Sequence, residues 1–231
     1  MTNNAILATH RLHICVDDPN NNAAVIGTCF AFRHPRFFLT AAHCVVGLQP
    51  NQIAIAGEDR SRFGFGKRII FHSTADLAVI EIDREDLGGP NYFRRIPDRP
   101  QMAMPIHAHG YPILTDDFDP RVFSGIFQRF HPHVSHMKDS AGIKYRYMAG
   151  ELSFPCPRGL SGGPVFRLEY PDEVLAVVTE NLEVGTVVHT HEEVSEDGTH
   201  YSSNTSRIVM YGLSVVLFEV RDWLTECIPL A

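Results

Sequence analysis

The sequence predicts an all-β protein built as two packed antiparallel barrels, with one helix at the C-terminus. Short runs rich in β-branched and aromatic residues recur along the chain, punctuated by Gly, Pro, Asn and Asp. These runs fall into two groups on either side of a polar, proline-bearing stretch, residues 84–100. That stretch is the expected connection between an N-terminal half, residues 1–100, and a C-terminal half, residues 101–231. A dozen short strands with little helix fit packed antiparallel barrels better than any layered α/β arrangement.

In the first group, residues 25–32, 36–39, 52–56, 65–71 and 77–82 read as strands. In the second, residues 105–110, 121–130, 144–149, 164–168, 174–179, 185–190 and 208–213 do so. Residues 131–142 between them are polar and His-rich and read as a long hairpin loop. The chain ends in a predicted helix over 214–227. Ser214 serves as its N-cap, and Val216, Val220, Trp223, Leu224 and Cys227 recur at three- and four-residue steps before Pro229 stops it.

With 27 Asp and Glu against 20 Lys and Arg, the net charge of −7 argues against nucleic acid or an anionic membrane as the main partner. No apolar run approaches a membrane span, and the first residues lack a basic segment followed by an apolar one. The five cysteines are odd in number and contain no C-x-x-C, which argues against a disulfide framework or a zinc knuckle. These features point to a cytoplasmic, reducing setting. His107/His109, His131/His133/His136 and His189/His191 have H-x-H spacing, which puts ring pairs on one strand face. A zinc site needs three or four convergent ligands. We therefore read these rings as solvated or core histidines, and expect no metal and no other cofactor.

Three segments carry chemistry: Phe38-Leu39-Thr40-Ala41-Ala42-His43-Cys44, Ala75-Asp76-Leu77-Ala78-Val79-Ile80, and Gly159-Leu160-Ser161-Gly162-Gly163-Pro164. A histidine follows a strand, a carboxylate opens one, and a serine sits among glycines that bring backbone close to whatever the hydroxyl meets. The order His, Asp, Ser meets the needs of nucleophilic acyl transfer. An α/β-hydrolase reading of the same G-x-S-x-G requires a helix directly after the serine, which Gly162, Gly163 and Pro164 oppose.

On these motifs the chain resembles the trypsin/chymotrypsin-like serine peptidases, in detail the short bacterial trypsin-like enzymes without a PDZ domain. The resemblance runs from about Val25 to the terminal helix. It implies two six-stranded Greek-key barrels with the site between them, and protein or peptide substrates. Ser161 is then the nucleophile, His43 its base, and Asp76 the group that orients the ring. The N–H groups of Gly159 and Ser161 form the oxyanion hole. Thr179 matches the family residue that hydrogen-bonds the aspartate, and Glu180 and Asn181 offer an edge on which substrate backbone pairs.

Leu160 stands where relatives activated by cleavage carry an aspartate, so activation by N-terminal insertion is not expected. An activating partner protein is one route left for control. Cys29 and Cys44 match a family disulfide; two buried thiols in contact are the alternative. Phe154, Pro155 and Arg158 belong to the expected wall of the first specificity pocket, which lacks an acidic residue; Arg158 there would favour an acidic side chain, and with Arg158 in solvent a small or apolar one is expected. Two rivals keep the same scaffold: a protease latent until a partner orders its loops, and a catalytically silent binding module.

Overall fold

The structure is a computed structural model that describes residues 4–15, 24–57, 62–87, 90–113, 119–194 and 200–229. Six strands form the first barrel: β1 (Thr9–Ile14), β2 (Ala24–Phe32), β3 (His34–Thr40), β4 (Ile53–Ala56), β5 (Phe63–Phe71) and β6 (Ala78–Ile82). Six more form the second: β7 (Pro105–Gly110), β8 (Arg121–Lys138), β9 (Lys144–Leu152), β10 (Pro164–Phe166), β11 (Val174–Val194) and β12 (His200–Val216). Every pairing within them is antiparallel. The strand order is β1-β2-β3-β6-β5-β4 in one closed barrel and β7-β8-β9-β12-β11-β10 in the other, so both halves have the same Greek-key topology. Closure removes the free edges that an open sheet would leave.

Large apolar side chains fill the interior. Phe30, Phe32, Phe38, Leu39, Ile55 and Ile80 are fully buried in the first barrel, each contributing roughly 1.5–3 kcal/mol over an exposed position. Phe93, from the connection between barrels, meets Phe30 edge-on at 5.3 Å. Its backbone is hydrogen-bonded to Ala31 and Arg33, so the connection is stitched to the end of β2. Phe127, Leu152, Leu160, Val165 and Val178 form a second cluster in the other barrel.

The strand pattern needs four corrections. Strand β1 was not expected, because Thr-His-Arg-Leu-His-Ile reads as polar; His10 and His13 nevertheless lie inside. Residues 131–138 are strand rather than loop, since β8 continues past Phe130 beside β9, in register to Val134 opposite Arg146 and, after a shift, with Lys138 opposite Lys144. The expected strands 174–179 and 185–190 are one, because β11 runs unbroken beside β12. The predicted helix over 214–227 is only partly helical. Ser214 caps nothing: it lies within β12, its hydroxyl donating to the Gly150 carbonyl at 3.0 Å. A 3-10 turn at Leu217–Val220 leads into α-helix only at Arg221–Cys227. Val216 belongs to the strand, and its three-four spacing to Val220 spans a change of structure. No helix among the described residues is long and apolar enough to cross a membrane.

Candidate active site

The register of one strand pair sets the first half of the site. Thr40 at the end of β3 lies opposite Ala78 at the start of β6. The chain leaving β3 and the chain entering β6 therefore lie at the same end of adjacent strands. A 3-10 turn at Ala42–Cys44 follows β3 and presents His43. Asp76, two residues before β6, is fully buried. Its carboxylate accepts two hydrogen bonds from His43, one from the backbone N–H at 2.9 Å and one from ring Nδ1 at 2.7 Å. This two-point contact fixes the ring and leaves its Nε2 edge for other chemistry. Burial opposes a charge on the ring, but the adjoining Cys44 sulfur and the Asp76 carboxylate outweigh it and hold its pKa well above the ordinary histidine range.

His72 braces the loop that carries Asp76. Its Nδ1 accepts from the N–H groups of Thr74 and Ala75, at 3.1 and 2.9 Å. The ring packs edge-on against Trp223 with centroids 4.9 Å apart. From the second barrel, the Arg146 N–H donates to the Thr74 carbonyl at 2.7 Å.

Ser161 sits in a pair of overlapping β-turns. The Leu160 N–H closes one turn on the Pro157 carbonyl, and the Gly163 N–H closes the next on the Leu160 carbonyl. The third residue of each turn, Gly159 and Gly162, has φ of +91° and +87°, a conformation that favours glycine. A Cβ on Gly162 would lie 2.0 Å from the Thr28 carbonyl oxygen, so that position is closed to any side chain. Beyond the turns the chain joins β10, already paired through Gly162 and Gly163 with Val178.

The first barrel holds this turn directly. The Thr28 N–H donates to the Ser161 carbonyl at 2.9 Å. The Thr28 hydroxyl donates to the Gly159 carbonyl at 2.7 Å and accepts from the Tyr111 N–H at 3.0 Å. The Cys44 thiol, next to His43, also reaches the Ser161 carbonyl at 3.9 Å, so the histidine and serine turns are in contact. The Ser161 hydroxyl donates to the Thr179 carbonyl at 2.8 Å rather than to the His43 ring. Among the described residues, nothing accepts the N–H of Gly159 or of Ser161.

The remaining expected site residues divide. The Thr179 hydroxyl does not reach Asp76: it donates to the Leu213 carbonyl at 3.1 Å and lies 2.9 Å from the Tyr147 hydroxyl. Glu180 is turned inward, bonded to His133 Nε2 at 2.8 Å, the His136 N–H and the Tyr147 hydroxyl. Burial works against its charge, but His133, Ser135 and the His136 N–H outweigh that and lower its pKa. The Asn181 amide clasps the backbone N–H and carbonyl of Cys156, at 2.5 and 2.8 Å. Phe154 stacks on Phe123 in the core, whereas Pro155 and Arg158 are exposed. Cys29 and Cys44 are free thiols: Cys29 Sγ points to the His10 carbonyl and Cys44 Sγ to that of Ser161. Among the described residues, no group of three or more His, Cys, Asp or Glu is placed to hold a metal ion. The side chains of His189 and His191 lie outside the described residues.

Thr28 and His72 were not singled out from sequence. Both act through backbone groups, and an isolated threonine or histidine in a strand-rich chain carries no signal of that.

A family profile described as trypsin-like peptidase domain matches residues 27–177, well over half of the chain and all three turns just described. The chain belongs to this family. No curated protein sequence matches it. Solved structures show the same fold at low identity. The Rv3671c protease from M. tuberculosis in its active form superposes with a TM-score of 0.65 at 15% identity, covering 95% of this chain and 80% of that one. The protease domain of MamO from Magnetospirillum magneticum gives 0.62 at 13%, covering 96% and 98%. The HtrA-type protease AlgW with a tripeptide gives 0.61 at 17%, and there 96% of this peptidase chain spans only 62% of the other.

Proposed function

We propose that the protein is a serine endopeptidase that hydrolyses peptide bonds in protein or peptide substrates through an acyl-enzyme intermediate. Ser161 attacks the carbonyl, and His43, in the neutral form that its raised pKa makes more available as pH rises, takes its proton and returns it to the leaving amine. Asp76 fixes the ring tautomer and stabilises its charged form. The free N–H groups of Gly159 and Ser161 receive the developing oxyanion. The observation that carries this reading is the two-point bond from buried Asp76 to His43 beside a glycine-held serine.

One observation favours the latent form as a second reading. The Ser161 hydroxyl rests on the Thr179 carbonyl, so it must rotate towards His43 before it attacks. Intact-mass spectrometry after treatment with a fluorophosphonate tests both readings. A single adduct on the wild type and none on Ser161→Ala is the expected result. An adduct that forms only in the presence of cell extract would identify a latent protease. No adduct under either condition would leave a binding module and overturn the endopeptidase reading.

A further inference from the structure

The oxyanion donors of such a site must be held in place before substrate arrives, and Gly159 is by itself poorly suited to this. A glycine at φ of +91° has little steric resistance to rotation. If the peptide unit between Arg158 and Gly159 turned over, a carbonyl would face the site instead of an N–H. The side chain of Leu160 offers no charged anchor, since it is fully buried in the apolar core of the second barrel.

We propose that Thr28 is the positioning residue that locks this turn, so that the first barrel preorganises the oxyanion hole of the second. The inference rests on Ser161 being the nucleophile. In a trans peptide the C=O and N–H point in opposite directions. The Arg158 carbonyl accepts from the Ile113 N–H at 2.7 Å, which turns the Gly159 N–H away from segment 111–113. The Thr28 hydroxyl ties that segment to the turn, accepting from the Tyr111 N–H while donating to the Gly159 carbonyl. It is fully buried, so no water replaces it easily. The fit is tight: a Cβ on Gly110 would lie 2.7 Å from the Thr28 hydroxyl oxygen. Without the hydroxyl, the Gly159 carbonyl loses its donor and the tie between the turn and segment 111–113 is cut, which loosens the bond from Ile113 to Arg158.

Thr28→Val keeps the side-chain shape and removes the hydroxyl; Thr28→Ser restores it. Fluorophosphonate labelling of Ser161 is expected to slow about 100-fold in Thr28→Val, the scale of losing one oxyanion donor, and to return with serine. KM for a short peptide ester should not move. Independently of turnover, amide hydrogen exchange at Ile113 should be slow in the wild type and Thr28→Ser and at least about tenfold faster in Thr28→Val, as expected when a protecting hydrogen bond is lost. If valine prevents folding, Thr28→Ala is measured in its place, with the same losses expected. Labelling of the hydroxyl-free variant at the wild-type rate, or equal Ile113 exchange in all forms, would overturn the lock. A wild type that takes no label with or without cell extract, while Ile113 still responds to Thr28→Val, would sink the peptidase reading and leave the lock standing.

Discussion

No strand of the first barrel exceeds nine residues, whereas in the second β8, β11 and β12 run to 18, 21 and 17. The two share one topology, so the difference lies in how each holds its share of the site. The contact between His43 and Asp76 is made within the first barrel, by adjacent strands in fixed register around a buried carboxylate. Ser161 is held by two glycine turns and by Thr28 of the other barrel. The His43–Asp76 contact is thus made within one barrel, whereas the Ser161 turn is held by both.

That contrast is tested most severely by Asp76→Asn. The amide preserves shape but cannot accept from both the backbone and the ring with a full negative charge, and it imposes the wrong ring tautomer. Turnover should fall by roughly 10⁴, while the turn around Ser161, which Asp76 does not touch, keeps its hydrogen bonds. Steady-state kinetics and amide exchange at Gly162 and Gly163 measure the two halves separately. A loss of only a few-fold would mean that another carboxylate orients the ring.

The strand rhythm and the three turns could be read from sequence because each has a local signature: β-branched runs, a histidine after a strand, a serine among glycines. What could not be read is non-local or depends on orientation. Strand β1 was missed because the buried rings of His10 and His13 look polar on paper. The terminal helix was drawn too long because Val216 and Val220 fit its period by coincidence. Cys29 and Cys44, which match a family disulfide, are two thiols, in line with the reducing setting the sequence suggested, but each is turned towards a carbonyl rather than towards the other. The hydroxyl of Thr179 was assigned to Asp76, yet it faces Leu213, a partner that only the β11–β12 pairing brings near.

A smaller effect than Asp76→Asn is expected where one histidine from each barrel is buried at their junction. His10 of β1 and His109 of β7 are each only 2% exposed. His10 Nε2 and His109 Nδ1 have no partner among the described residues. Burial lowers each pKa to about 4, His109 being pushed down further by His10. The unfolded chain titrates near 6.5 and so takes up protons first as the pH falls. Stability is therefore full above about pH 6.5 and is lost progressively towards pH 4, by about 3 kcal/mol per ring at ~1.4 kcal/mol per unit. His43, whose pKa is raised, changes its contribution only above 6.5 and does not enter this window. Urea denaturation at pH 7 and pH 4.5 should show the loss. His109→Leu should reduce the acid slope by about one proton, and an unchanged slope would contradict the burial of a neutral ring there.

The smallest effect expected comes from His72, which couples the two barrels in the opposite sense to Thr28. The Asp76 loop of the first barrel is capped by its ring and braced by Arg146 of the second barrel and Trp223 of the terminal helix. An Nδ1 that accepts two N–H bonds cannot carry a proton, and burial lowers its pKa accordingly. His72→Ala should reduce kcat about tenfold with KM unchanged, well inside the ~10² that an ångström of misplacement costs, since both bonds from Asp76 to His43 persist. Asparagine places an amide oxygen where Nδ1 lies and accepts the same N–H groups without titrating. His72→Asn should therefore keep kcat near the wild-type value. Were alanine and asparagine to behave alike, the ring would be holding the loop by packing on Trp223, and the two barrels would meet there through shape rather than hydrogen bonding.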